Sequence, residues 1–306
     1  MSFQVDTALV QSYKANVTIK FQQRVSRLRP YVRVESQNAE FDFYDRIGPT
    51  DAQEVLTRHG DTPLISTPHD RRRVALRDFD WADMIDNKDK LRMLIDPTSA
   101  YTRNAVSALS RKIDDVIIEA AFGTAYTGKT GSTTVAFGAG VTASSTVATN
   151  YVETGTAANS NLTVAKLRRV RYLLEKAEAL DEEAMLGGAY DLCIAVDPSQ
   201  KQALLRDPQV TSADYNNVRA LVDGKIDTYM GFKFIMLNRL PVASSIRSCI
   251  AWEKEGLLLA VADEINVDVG PRRDKRNSIQ VYVKGSFNST RMWEEKVVKV
   301  NCDETV

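Results

Sequence analysis

The most regular alternation of apolar and polar positions lies between residues 96 and 123. Asp96-Pro97-Thr98-Ser99 offers a cap-type residue followed by an early proline, a helix-start signal. Ala105, Leu109, Ile113, Val116, Ile117 and Ala120 then recur at three- and four-residue spacing, with Arg103, Arg111, Asp114 and Glu119 on the other side. The spacing predicts an amphipathic helix over 98–123, ~37 Å long, ended by Gly123. Leu167, Val170, Leu174 and Ala177 predict a second helix over 163–185, and shorter helices are expected over 198–206 and 215–222. The unbroken apolar run Leu192–Val196 reads as a buried strand. Alternation or short apolar runs predict further strands at 31–36, 41–43, 64–67, 225–229, 232–237, 249–252, 257–261, 265–269, 279–283 and 297–302. Helices and strands mix without βαβ alternation, so the fold class is α+β, not a doubly wound sheet.

Two stretches fit no compact pattern. Residues 46–80 carry the turn signals Gly48-Pro49, Gly60-Asp61 and Thr62-Pro63, then the run Arg71-Arg72-Arg73, and read as a projecting, hairpin-like loop. Residues 124–160 are rich in Gly, Thr, Ser and Ala and read as short strands and loops, an insertion.

Charge narrows the function classes. The chain has 306 residues, with 40 basic and 40 acidic side chains. The balance is local as well, 18 of each within residues 1–126. A protein whose main partner is nucleic acid would carry a basic excess. No apolar run reaches the ~18–20 residues of a membrane span, and no signal peptide is expected at the N-terminus. Three cysteines, Cys193, Cys249 and Cys302, lack metal-ligand spacing and suggest reduced structural thiols.

The sharpest chemical string is Gly123-Thr-Ala-Tyr-Thr-Gly128-Lys129-Thr130, which matches the phosphate-loop pattern, with Asp197 placed as a Walker B aspartate would be. A phosphate loop works because a strand feeds it and a helix leaves it, aiming backbone N–H groups at the anion. Here a helix enters and a poor helix former follows. A P-loop nucleotide hydrolase using Gly128, Lys129, Thr130 and Asp197 is therefore the alternative function, not the leading one. Gly138-Ala139-Gly140 imitates a dinucleotide fingerprint but suits a glycine turn better. His59 and His69 stand alone in a polar loop, without the further ligands that a metal needs. The acidic pairs Asp114-Asp115, Glu182-Glu183 and Glu294-Glu295 are sequence neighbours, which do not face one another on a helix. The arginine runs are flanked by acids, which favours salt bridging, within the chain or to a neighbour, over nucleic acid. No catalytic, cofactor-binding or metal-binding residues are assigned, no cofactor is expected, and the chain is not read as an enzyme.

The order of elements resembles the major capsid protein of tailed bacteriophages, the Hong Kong 97-type fold. Arg58-His59-Gly60-Asp61-Thr62-Pro63 with His69-Asp70-Arg71-Arg72-Arg73-Val74 looks like the extended loop of that family. Leu94-Ile95-Asp96-Pro97 with Tyr101, Ala105, Arg111, Asp114 and Asp115 looks like the start of its spine helix. Ile279–Tyr282 and Arg291–Val298 look like its closing strands. The resemblance implies an N-terminal arm over 1–45 and an extended loop over 46–80. It implies a peripheral domain over 81–189, with spine helix 98–123 and insertion 124–160. An axial domain over 190–269 and closing peripheral strands over 270–306 follow. The implied function is a structural protein that self-assembles into the hexamers and pentamers of an icosahedral phage head around double-stranded DNA, held without sequence specificity. Arg58, Asp61, Arg71, Arg72, Arg73 and Arg77 are the candidate contacts between subunits. Further partners would be a scaffolding protein, a portal and a decoration protein, with no membrane involved. The implied location is the virion, after assembly in the host cytoplasm. A cargo-holding compartment of the same fold is a third possibility.

Overall fold

The computed structural model describes residues 22–54, 60, 62, 64–85, 98–141, 145–180, 192–206 and 228–305. Strands β1 (Arg33–Ser36), β2 (Phe41–Ile47), β3 (His69–Ala75) and β4 (Asp78–Ile85) precede helix α1 (Thr98–Phe122). The short strands β5 (Ala125–Thr127), β6 (Thr133–Val135) and β7 (Thr146–Val147) separate it from α2 (Val164–Lys176). Strand β8 (Leu192–Val196) leads into α3 (Pro198–Arg206). The chain ends in β9 (Thr228–Tyr229), β10 (Phe232–Met236), β11 (Val242–Ala243), β12 (Ile246–Glu253), β13 (Leu257–Arg272), β14 (Ser278–Arg291) and β15 (Val297–Asp303).

The fold comprises two compact units, and α1, β13 and β14 each contribute residues to both. The smaller draws its described residues from 22–26, Asp78–Lys112 and Asp263–Ser286. In it β4 runs antiparallel to β14, from Ile279↔Ile85 to Ser286↔Asp78. The larger unit holds Arg27–Arg77, Ile113–Ala262 and 287–306. Its main sheet runs β7-β15-β12-β8-β10-β9, with β11 added on β12. All five residues of β8 are buried, as its apolar run requires, and it pairs parallel with β10 and antiparallel with β12. Helix α2 turns Val164, Leu167, Val170, Leu173 and Leu174 inward, and Thr163 caps it by accepting from the Lys166 N–H. Trp252, fully buried, donates its indole N–H to the Tyr31 carbonyl at 2.9 Å, so this large ring is enclosed without an unmet donor.

A second sheet of the larger unit, β2-β3-β5-β6, makes the stem of the expected loop. The β2–β3 ladder runs from Phe41↔Ala75 to Ile47↔His69. It closes where the Gly48 N–H donates to the Pro68 carbonyl at 3.0 Å, and a Cβ on Gly48 would lie 2.8 Å from the Pro68 ring. Beyond that point the chain leaves the sheet.

Several expectations change. Leu64–Thr67 forms no strand; the strand begins at His69, after Pro68, which has no N–H to give. Helix α2 stops at Lys176, because Glu178 takes a left-handed φ of 51° that breaks the helical path, and residues 181–185 of the expected helix lie outside the described residues. Gly123 does end α1, but by contact: a Cβ there would sit 2.6 Å from the Glu119 carbonyl oxygen. The strands expected at 257–261 and 265–269 are one continuous β13, in which Asp263 and Glu264 keep extended backbone despite their charge. The helix expected at 215–222 and residues 1–21 of the expected arm lie outside the described residues.

Candidate functional site

The stem of the hairpin is where the chemistry of the molecule concentrates. Strand β3 reads Arg71-Arg72-Arg73-Val74, and its period of two sends Arg72 and Val74 inward. Arg72 is 0% exposed. It donates from Nη2 to Glu294 Oε1 at 3.1 Å and from Nε to the Met292 carbonyl at 3.3 Å. Arg291, also 0% exposed, holds the other side of the same carboxylate, Nε to Oε2 at 2.6 Å. Its Nη1 donates to the carbonyls of Ala120, Ala121 and Gly123 at 3.2, 2.9 and 2.9 Å. Those carbonyls belong to the last turn of α1 and the residue after it, where the helix runs out of N–H partners and carries its negative dipole end. A buried guanidinium thus caps the long helix, and one carboxylate neutralises it and ties it to the hairpin. The Gly138 N–H also donates to Glu294 Oε2 at 3.2 Å, and Phe137 lies under Arg291 with its ring centroid 5.2 Å away.

The charge balance in this cluster is positive. Arg46 donates to Asp70 at 2.5 Å and to the Met292 carbonyl at 2.7 Å. Burial first, and then the neighbouring Arg46, push the Arg72 guanidinium down to about 10. Burial alone would raise Asp70, but hydrogen bonds from Thr127 and Arg46 outweigh it and hold that carboxyl at about 2.

The candidate contact residues divide. Arg72 is enclosed by its own chain and presents nothing to a neighbour. Arg71 reaches Asp45 at 3.3 Å and leans on the Phe43 ring. Arg73 stacks on the rings of Phe41 and Tyr126, 5.0 and 5.1 Å from their centroids. Arg77 pairs with Glu119 at 2.9 Å, both half exposed. Arg58 and Asp61 lie outside the described residues, as does His59; His69 sits exposed on β3. Arg291 and Glu294 belong to none of the expected sites. Their i, i+3 spacing was the only local signal, and it does not distinguish a buried bridge from a surface pair.

The phosphate-loop string is a hairpin turn. Helix α1 enters it, β5 occupies its middle, and the chain returns as β6 with Thr127 opposite Thr133. Gly128 and Gly131 are there for their left-handed φ of 92° and 65°. No helix N-terminus follows, and Lys129 and Thr130 are exposed. The groove beside Lys129 is lined by Asp45, His69, Asp70, Arg71 and Gly128, and no run of helix N-terminal N–H groups faces it. Asp197 is engaged elsewhere, accepting from the Ser199 N–H at the start of α3 and lying 3.7 Å from Arg247. Gly138 and Gly140, with φ of 72° and 80°, make the glycine turn expected of them. Among the described residues no group of three or more His, Cys, Asp or Glu could hold a metal ion, and no helix is long and apolar enough to cross a membrane.

A hairpin, a long helix and an α+β core follow one another in the order that the sequence predicts, and comparison with known proteins agrees. No curated protein sequence matches the chain. The capsid of cyanophage P-SCSP1u superposes with a TM-score of 0.71 at 11% identity, over 99% of this chain and 95% of that one. The cyanophage Pam1 capsid gives 0.69 at 16% identity, over 99% of each chain. Gordonia phage Cozz gives 0.67 at 13% identity, over 98% and 93%. The fold is therefore of the Hong Kong 97 type. The phage capsid protein family matches residues 5–304, so this chain belongs to that family and is a structural protein of a phage shell, not a nucleotide hydrolase.

Proposed function

We propose that the chain is the repeating wall subunit of a phage head, assembling as hexamers and pentamers around double-stranded DNA. The observation that carries the assembly reading is the hairpin. Its stem is fixed internally by the Arg72–Glu294–Arg291 knot, while past Gly48 it offers Leu64 at 95% and Ile65 at 46% exposure. Adjacent apolar side chains held away from their own core gain by being covered, at about 1.5–3 kcal/mol for a fully buried leucine. A second copy supplies that cover wherever subunits repeat, and many modest contacts then act together. Arg71 and Arg73 lie on the outward face of β3, and with Arg58, Asp61 and Arg77 they set the register between neighbours. The zero net charge suits a wall that must not hold its DNA tightly. Subunits form the shell in the host cytoplasm with a separate scaffolding protein, and portal and decoration proteins complete it.

The test is the double substitution Leu64→Asp with Ile65→Asp. Both side chains are exposed, so thermal melting of the free subunit stays at the wild-type value while shell yield falls to background. Normal yield would remove the hairpin from the interface.

A further inference from the structure

The smaller unit carries two patches of opposite sign at opposite ends of one β-ribbon. At its tip, where β13 turns into β14, the sequence is Arg272-Arg273-Asp274-Lys275-Arg276-Asn277, four bases against one acid, and every one of these residues is exposed. Arg272 is occupied by Asp274 at 2.6 Å and by Gln280 at 3.1 Å. Arg273, Lys275 and Arg276 make no ion pair among the described residues. The turn is sharp, with Arg276 and Asn277 both left-handed at φ of 53° and 57°. That conformation disfavours side-chained residues, and here it presents charge at the apex.

At the base, β4 reads Asp78-Phe-Asp80-Trp-Ala-Asp83-Met-Ile, three acids and no base. Among the described residues β4 is the edge strand, pairing only with β14. Asp78 and Asp80 point outward beside a groove of about 450 Å³ lined also by Tyr282, Lys284, Gly285 and Ser286. Asp78 accepts from the Ser286 hydroxyl at 2.5 Å, and Lys284, which lines the same groove, forms an ion pair with Asp263 at 3.1 Å. Asp80 has no ion pair among the described residues. Gly285, opposite Phe79, leaves the groove open.

The two patches cannot meet within one copy. Lys284, the residue opposite Asp80 in the β4–β14 ladder, lies six residues along β14 from Ser278, roughly 20 Å at 3.3 Å per residue. A surface and its complement, displaced along one rigid element, make a heterologous contact, the kind that propagates rings and shells. We propose that the Arg272–Arg276 tip of one copy docks on the Asp78–Asp80 edge of β4 in a second copy. This contact rests on the shell reading but uses residues that the extended hairpin does not.

The test uses the full chain in two formats. In the first, Arg276→Cys and Asp80→Cys chains are expressed together and oxidised. A disulfide-linked dimer on a non-reducing gel, absent from either single variant, is the expected result whether or not closed shells form. Its absence overturns the contact. In the second, Arg273→Glu with Arg276→Glu slows wild-type-like assembly about tenfold, and adding Asp80→Arg with Asp78→Arg restores it. Wild-type assembly of the tip variant overturns the contact. Normal shells that retain less DNA would also overturn it, and would assign the tip to phosphate. A cross-link obtained without closed shells keeps the contact, and the shell reading stands or falls on particles of the wild-type chain, so the two fail separately.

Discussion

Replacing Glu294 with glutamine is the most informative single change in the larger unit. Glu294 is 4% exposed and is the one carboxylate between two fully buried guanidinium groups, with contacts of 3.1 Å to Arg72 and 2.6 Å to Arg291. Glutamine keeps the shape and one acceptor but removes the charge, leaving two positive groups enclosed without neutralisation. Breaking a buried pair in this way costs about 3–5 kcal/mol, against a total stability of roughly 5–15 kcal/mol. For a unit of this size each kcal/mol moves Tm by about 2–4 °C, so the variant should melt roughly 10 °C lower. Calorimetry reads the shift. Hydrogen exchange locates it, because the last turn of α1, whose carbonyls Arg291 holds, and strand β3 should both lose protection. Removing the exposed Lys284–Asp263 pair by Lys284→Ala serves as the control and should leave Tm unmoved. A Glu294→Gln protein that melts within 2 °C of wild type, roughly 1 kcal/mol, would refute the claim that this carboxylate neutralises both arginines.

Other outcomes follow from the same geometry. Asp70 is held at about 2 in the folded chain and titrates near 4 when unfolded. Its contribution to stability is therefore complete above about pH 4 and is lost as pH falls towards 2; Asp70→Asn should lower Tm throughout the range above about pH 4 and flatten the acid limb below it. Cys193, Cys249 and Cys302 are buried, at 3%, 0% and 0% exposure, so a thiol reagent should find none of them in the native protein and three after denaturation. Gly123→Ala places a Cβ 2.6 Å from the Glu119 carbonyl and should destabilise the end of α1, read as a lower Tm. Lys129→Ala should change neither melting nor shell yield, since that side chain lies exposed in a hairpin turn.

The parts of this fold that were legible in the sequence are those where burial is written locally. Helix α1 shows its period of three and four, and β8 shows its unbroken apolar run; both lie where expected. Strand β13 reads as two pieces in sequence because Asp263 and Glu264 interrupt its apolar pattern, yet an exposed strand tolerates them. The phosphate-loop string failed for the opposite reason. The letters matched, but the chemistry resides in strand-before and helix-after, and a glycine hairpin needs the same residues for their positive φ. Among the candidate contacts, the neighbours Arg71, Arg72 and Arg73 look alike in sequence, and only the inward face of β3 separates the buried one from the other two. The partner of Arg72 lies 222 positions away, beyond any local pattern.

The central claim is that this chain closes into a shell by itself or with a scaffold. Negative-stain electron microscopy of the full chain, purified after expression alone and after co-expression with a scaffolding protein, tests it directly, with sedimentation velocity alongside. Closed particles of uniform size, or rings of five and six subunits that convert to them, are the expected result. A chain that stays monomeric or dimeric under both conditions would contradict it.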